Sequence, residues 1–116
     1  METKIFISRK ALERLKKDKF VRENRKWYNQ QIFLISQDPF HRPSERIGHF
    51  IVAPRGHEIK RIAYHFEMND KFILIYIDDF LYHKSDTRYV DNWNEKVNNK
   101  QISLRDYNDY VPFTTL

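Results

Sequence analysis

Residues Ile59 to Lys84 constrain this chain more than any other stretch. Two apolar runs flank the polar interruption Asn69-Asp70, a favoured two-residue signal for a β-hairpin. With those residues as the loop, Met68 pairs with Lys71, and Ile62, Tyr64 and Phe66 share a face with Ile77, Ile75 and Ile73. The other face then carries Arg61, Ala63, His65 and Glu67 with Asp78, Tyr76, Leu74 and Phe72, and Arg61 stands opposite Asp78. Because side chains alternate along a strand, one face is a core and the other a mixed basic, aromatic and acidic surface. A purely structural sheet does not require such a surface.

The rest of the chain supplies partners for the hairpin. Lys4–Ser8 predicts a short strand, and Ser8 predicts the N-cap of a helix over about Arg9–Lys19. A second helix is expected over Arg22–Gln37, where Tyr28, Ile32 and Ile35 fall at i, i+4 and i+7 and Asp38-Pro39 ends it. The connection is placed at Asp18–Val21, giving an antiparallel helical pair. Arg46–Ala53 predicts one strand, stopped by Pro54-Arg55-Gly56. The near-continuous apolar run Phe72–Tyr82 predicts a central strand. Thr87–Asn98 has the spacing of a short helix, and the tail holds Tyr107, Tyr110, Val111 and Phe113, which either pack on the core or await a partner. The expected fold is α+β: an N-terminal strand and helical hairpin on one face of an antiparallel sheet, then a short C-terminal helix and aromatic tail.

Charge sharpens the functional question. Residues 1–65 carry fifteen Lys/Arg against seven Asp/Glu, and residues 66–116 carry six against nine. A basic half with interleaved aromatics suits a polyanion such as nucleic acid, and it equally suits a solvated helix face. With no cysteine there is no disulfide framework and no thiolate metal site. No apolar run approaches the roughly 18 residues of a membrane span, and Met1-Glu2-Thr3-Lys4 lacks the apolar core of a secretory signal. A cytoplasmic protein with no membrane partner is expected.

On the outward face, Arg55, His57, Arg61, His65, Tyr76, Asp78 and Tyr82 share one parity. Cleavage of RNA by its own 2′-hydroxyl needs a base, a cation for the phosphate oxygens and an acid for the leaving oxygen. Histidine suits either proton-transfer role, arginine binds two phosphate oxygens at once, and no metal or other cofactor is required. Asp78 would orient Arg61. The bland alternatives stand beside this one: His65 as a satisfied strand histidine, His57 as a turn residue, and Arg61–Asp78 as a structural pair. Asp78 and Asp79 point to opposite faces and make a poor metal pair.

These features together resemble the RelE/ParE toxin superfamily, whose members include ribosome-dependent mRNA endonucleases. The match rests on a strand followed by a helical hairpin, on Arg61-Ile62-Ala63-Tyr64, on the acidic turn Asn69-Asp70-Lys71 with the aliphatic strand Phe72–Ile77, and on Leu81-Tyr82-His83-Lys84. It covers about residues 3–84 and leaves 85–116 as a C-terminal extension of a single domain. The resemblance implies that Arg61 holds the scissile phosphate, that Tyr82 or His83 sits where the family places an acid or a base-stacking residue, and that Arg55 and Lys60 supplement phosphate binding. It implies a growth-inhibiting toxin, a metal-independent endoribonuclease acting on mRNA at the ribosome, with a cognate antitoxin. Arg42, Arg46 and Arg55 would then touch ribosomal RNA. Asp78 beside Arg61 departs from the family pattern, so a non-catalytic RNA- or ribosome-binding module, a protein inhibitor or a gyrase-directed ParE-like toxin are the alternatives.

Overall fold

A computed structural model describes residues 2–40, 45–47, 50–54, 59–83, 91–92, 94–96, 98–99 and 109–113. Strand β1 (Glu2–Ser8) runs directly into helix α1 (Arg9–Lys17), and the Ser8 Oγ accepts the Ala11 N–H at 3.0 Å, as the cap signal requires. Asp18 then caps a further helix, α2 (Lys19–Glu23), through the Val21 N–H at 3.0 Å. The segment expected to be a turn is therefore a short helix in its own right. Helix α3 (Arg25–Gln37) follows and buries Tyr28, Ile32 and Ile35, the stripe read from the sequence.

Among the described residues the sheet has six strands, in the order β2-β3-β4-β5-β1-β6. Strands β2 (Glu45–Ile47) and β3 (Phe50–Ala53) replace the single strand expected there; they pair antiparallel, closing at Ile47↔Phe50. Gly48, one of only two glycines in the chain, lies between them and was the available signal for a break. Strands β4 (Arg61–Met68) and β5 (Phe72–Leu81) form the expected hairpin, and β5 is central, buried from Ile75 onward. Strand β1 joins β5 in parallel, so the α+β sheet is mixed. Strand β6 (Tyr110–Pro112) lines the free edge of β1, so this part of the aromatic tail packs in the sheet, with Val111 and Phe113 against the core. Helical backbone at 91–92, 94–96 and 98 agrees with the short C-terminal helix, while Tyr107 lies outside the described residues.

The core lies between the helices and one sheet face. Ile7, Ile62, Tyr64, Ile75, Ile77 and Phe80 meet Ala11, Leu15, Val21, Tyr28, Ile32 and Ile35. Burial of this many large apolar side chains, each contributing roughly 1.5–3 kcal/mol, holds the two layers together. Buried hydroxyls are satisfied: Tyr28 donates to the Leu81 carbonyl at 3.0 Å and Tyr64 to the Pro39 carbonyl at 3.1 Å.

The hairpin register differs from expectation in two ways. The Asn69 Oδ1 accepts the N–H groups of Lys71 and Phe72 at 2.9 and 2.8 Å, and the Asn69 N–H donates to the Phe72 carbonyl. The loop between the strands therefore spans Asn69 to Lys71 and Met68 pairs with Ile73, not Lys71. That slip of two preserves the faces. A bulge then leaves Asp78 without a register partner, since Tyr64 pairs with Ile77 and Ala63 with Asp79. Beyond the bulge Arg61 pairs with Leu81, so the expected Arg61–Asp78 pair does not form.

Candidate functional site

The bulge at Asp78-Asp79 organises a polar cluster on either side of β5. Freed from the ladder, the Asp78 carboxylate lies 2.7 Å from His65 Nδ1 and accepts a hydrogen bond from the Tyr110 hydroxyl. The Ser8 Oγ donates to the Asp78 carbonyl at 2.8 Å. One residue thus ties together β4, β5, β1 and β6. His65 stacks on Tyr76 with ring centroids 4.9 Å apart, Tyr76 stacks on Phe6, and Tyr110 meets Tyr76 edge-on. Burial pushes the Asp78 carboxyl above its ordinary range, opposed by hydrogen bonding and charge from His65 and by Tyr110. Burial, followed by the charge of Asp78, raises the Tyr110 phenol.

This cluster is closed to solvent. His65 and Asp78 are each 3% exposed and Tyr76 is buried, so the expectation of a ligand-accessible face at these residues is corrected. His65 is a buried strand histidine whose Nδ1 meets Asp78, so Asp78 orients His65, not Arg61. Its imidazole is held by a carboxylate, stacked on the Tyr76 ring and met edge-on by Tyr110.

The second cluster joins β5 to the helices. Arg14 donates to Asp79 Oδ1 at 3.0 Å and to the Phe80 carbonyl at 2.7 Å, and Lys10 lies 3.3 Å from the same carboxylate. The Arg14 guanidinium also covers the Tyr82 ring at 4.9 Å. Burial works against its charge, but Asp79 and Tyr82 outweigh burial and keep it firmly protonated. The Tyr82 hydroxyl donates to Asp18 Oδ2 at 2.7 Å, and its ring stacks on Phe20 at 4.6 Å. The hydrogen bond to Asp18, together with burial, raises the Tyr82 phenol. Asp79 and Arg14 were missed in the sequence reading, although an acid inside a buried strand is itself a signal that a cation lies opposite.

Arg61 and Tyr82 consequently occupy opposite sides of the sheet. Ile62 and Tyr64 face the helices, so Arg61 faces away, whereas Tyr82 packs among α1 and α2. Within Arg61 the Nε is buried and has no hydrogen-bond partner among the described residues. His65 stands four residues along β4 from Arg61, about 13 Å away. The expected constellation of Arg61, His65 and Tyr82 is therefore dispersed. His83 is exposed, with its ring 4.5 Å from that of Tyr82. Lys60 lies over the Trp27 ring at 4.7 Å, with its Nζ 3.5 Å from Asn24 Oδ1. Arg42, Arg55 and His57 lie outside the described residues, and Arg46 is described only as backbone of β2.

What the helices present to solvent is charge. Residues 9–26 hold nine Lys/Arg against three Asp/Glu, a net +6 in a chain whose total is +5. Lys16, Lys19, Arg22, Arg25 and Lys26 are all exposed and make no ion pair among the described residues, while Lys17 pairs with Glu13. No group of three or more His, Asp or Glu among the described residues is placed to hold a metal ion, and no described helix is long and apolar enough to cross a membrane. Comparison with protein-family models, curated proteins and solved structures returns no match.

Proposed function

We propose that this protein binds RNA through the cationic surface of α1, α2 and the start of α3, and that it inhibits translation in the cytoplasm by occupying the ribosome or its message. The observation that carries the reading is the concentration of charge: five exposed cations within eleven residues with no ion pair among the described residues, on helices anchored to the sheet by Arg14–Asp79. Neutralising phosphates with such a surface releases counterions and makes binding steeply salt-dependent. The resemblance to RelE/ParE toxins supports the ribosomal target and a cognate antitoxin as partner. Binding without cleavage is favoured because Arg61, His65 and Tyr82 do not converge.

A second reading is the metal-independent endoribonuclease, and one observation favours it. His83 is exposed just beyond the end of β5, beside Tyr82 and the Arg14 cluster, and histidine is a residue type suited to proton transfer. The experiment is translation of a reporter in an extract with purified protein, with mapping of mRNA ends. Inhibition without new ends, lost in a Lys19→Ala/Arg22→Ala/Lys26→Ala variant and retained in His83→Ala, supports binding. New ends that disappear in His83→Ala support the nuclease. Failure of the wild type to inhibit translation defeats both.

A further inference from the structure

We propose that α3 carries a nucleobase-stacking site centred on Phe33 and that its ligand is single-stranded RNA. This inference rests on the RNA-binding reading above and deepens it. Phe33 is 60% exposed, more than any other large hydrophobic side chain among the described residues. It lies away from the stripe of Tyr28, Ile32 and Ile35 that α3 buries. Packing therefore does not account for it, and at an exposed helical position phenylalanine offers no propensity advantage over the Lys or Gln residues nearby.

The neighbours of Phe33 have the chemistry of a nucleotide site. Lys26, Gln30, Phe33 and Gln37 follow one another at i, i+4, i+7 and i+11, so they form one stripe, and all four are exposed. The ring offers a flat apolar face to a base. Each glutamine amide offers a donor and an acceptor to the edge of that base. Lys26 stands about 10 Å along the axis from Phe33, where it meets the backbone of the same strand. Arg25, Arg22 and Lys19, exposed and without an ion pair among the described residues, precede it in the chain on α2 and the start of α3.

The other rings of these helices are already engaged. Phe20 stacks on Tyr82, and Trp27 is covered by Lys60 and meets Tyr28 edge-on at 5.1 Å. Phe33 is the ring that α3 leaves presented. A duplex has its bases stacked on one another and their pairing edges occupied, so a stacking platform with amide donors is of use only to an unpaired strand.

The test measures binding of a labelled 12-nucleotide oligouridylate and of a 12-base-pair RNA duplex to the full chain across a salt series. Phe33→Ala is expected to weaken single-strand binding about 5- to 150-fold, the usual effect of removing one stacked base, with the salt slope unchanged. Lys26→Ala is expected to reduce the slope by about 0.7 for the single strand. Phe33→Trp is expected to retain affinity and to show indole quenching on binding. Circular dichroism verifies that each variant is folded. If the wild type binds salt-dependently and Phe33→Ala binds equally well, the stacking site is overturned while the RNA reading survives. If the wild type binds neither RNA, both are overturned.

Discussion

His65 Nδ1 lies 2.7 Å from Asp78 Oδ2, with both side chains buried on the sheet face turned away from the core helices. The pair exists because the bulge lets Asp78 leave the ladder and meet an imidazole on the neighbouring strand. Removing one member leaves the other buried and short of a hydrogen bond, which typically costs about 1–3 kcal/mol. His65→Ala and Asp78→Ala are each expected to lower unfolding stability by about that amount. In a double-mutant cycle the losses should fall well short of additive. Urea unfolding checks this, and two additive losses below about 1 kcal/mol would contradict it.

Asp78 and Asp18 predict opposite pH dependences. Burial raises Asp78 despite its partners, so the unfolded chain gives up this proton more readily than the folded one. The corresponding stability is fully present below the unfolded carboxyl value, near 3.9, and is lost as pH rises through the folded value. Asp18 is the reverse: burial acts to raise it, but hydrogen bonds from Tyr82 and the Val21 N–H, with the Arg14 charge, bring it below its ordinary range. Its contribution is present above the ordinary carboxyl value and lost as pH falls through the lowered one. Urea unfolding from pH 2 to 7 should show Asp78→Asn gaining on the wild type as pH rises, and Asp18→Asn losing ground over the same direction. Parallel profiles would refute both.

Arg14 is expected to matter more than any exposed helix cation. It satisfies an Asp79 carboxylate that is 3% exposed, and it covers the Tyr82 ring. Arg14→Met keeps the stem and leaves Asp79 with Lys10, itself half exposed at 3.3 Å. A loss of about 2–3 kcal/mol in thermal or urea unfolding is expected. Lys16→Met, on the same helix with no ion pair among the described residues, should change stability by less than about 0.5 kcal/mol. Equal effects at the two positions would show that the Arg14 cluster contributes little.

The C-terminal strand is expected to be structural. Val111 and Phe113 pack against the core, the Phe113 N–H bonds the Ile5 carbonyl at 2.9 Å, and Tyr110 reaches Asp78. Truncation after residue 108 should therefore destabilise the protein by several kcal/mol, through lost apolar burial and an exposed β1 edge. Tyr110→Phe should cost about 1–3 kcal/mol, because it leaves a buried carboxylate oxygen without its donor. Hydrogen exchange at Ile5 and Ile7 would register both changes, and unaltered protection there would show that β6 is dispensable.

Much of the local structure was legible. Ser8 capped α1, the 3.6-residue stripe of α3 buried the expected side chains, and the alternation of Ile62, Tyr64 and Phe66 placed those residues on the core face. The proposed site was less legible. Arg61, His65 and Tyr82 shared a parity only if the hairpin ran without interruption. The side-chain cap of Asn69 lengthened the loop, and the bulge at Asp78 changed the phase beyond it. Parity propagates errors: one extra residue reverses every assignment past it.

The sequence by itself determined α1, α3, the faces of β4 and the basic stretch over residues 9–26, because each depends on spacing within one turn or one pleat. Only the tertiary structure decided that β1 lies parallel to β5, that β6 closes the edge, and that Asp78 meets His65 and Tyr110. Those outcomes depend on contacts between residues far apart in the chain, where apolar burial and the pairing of buried polar groups act together.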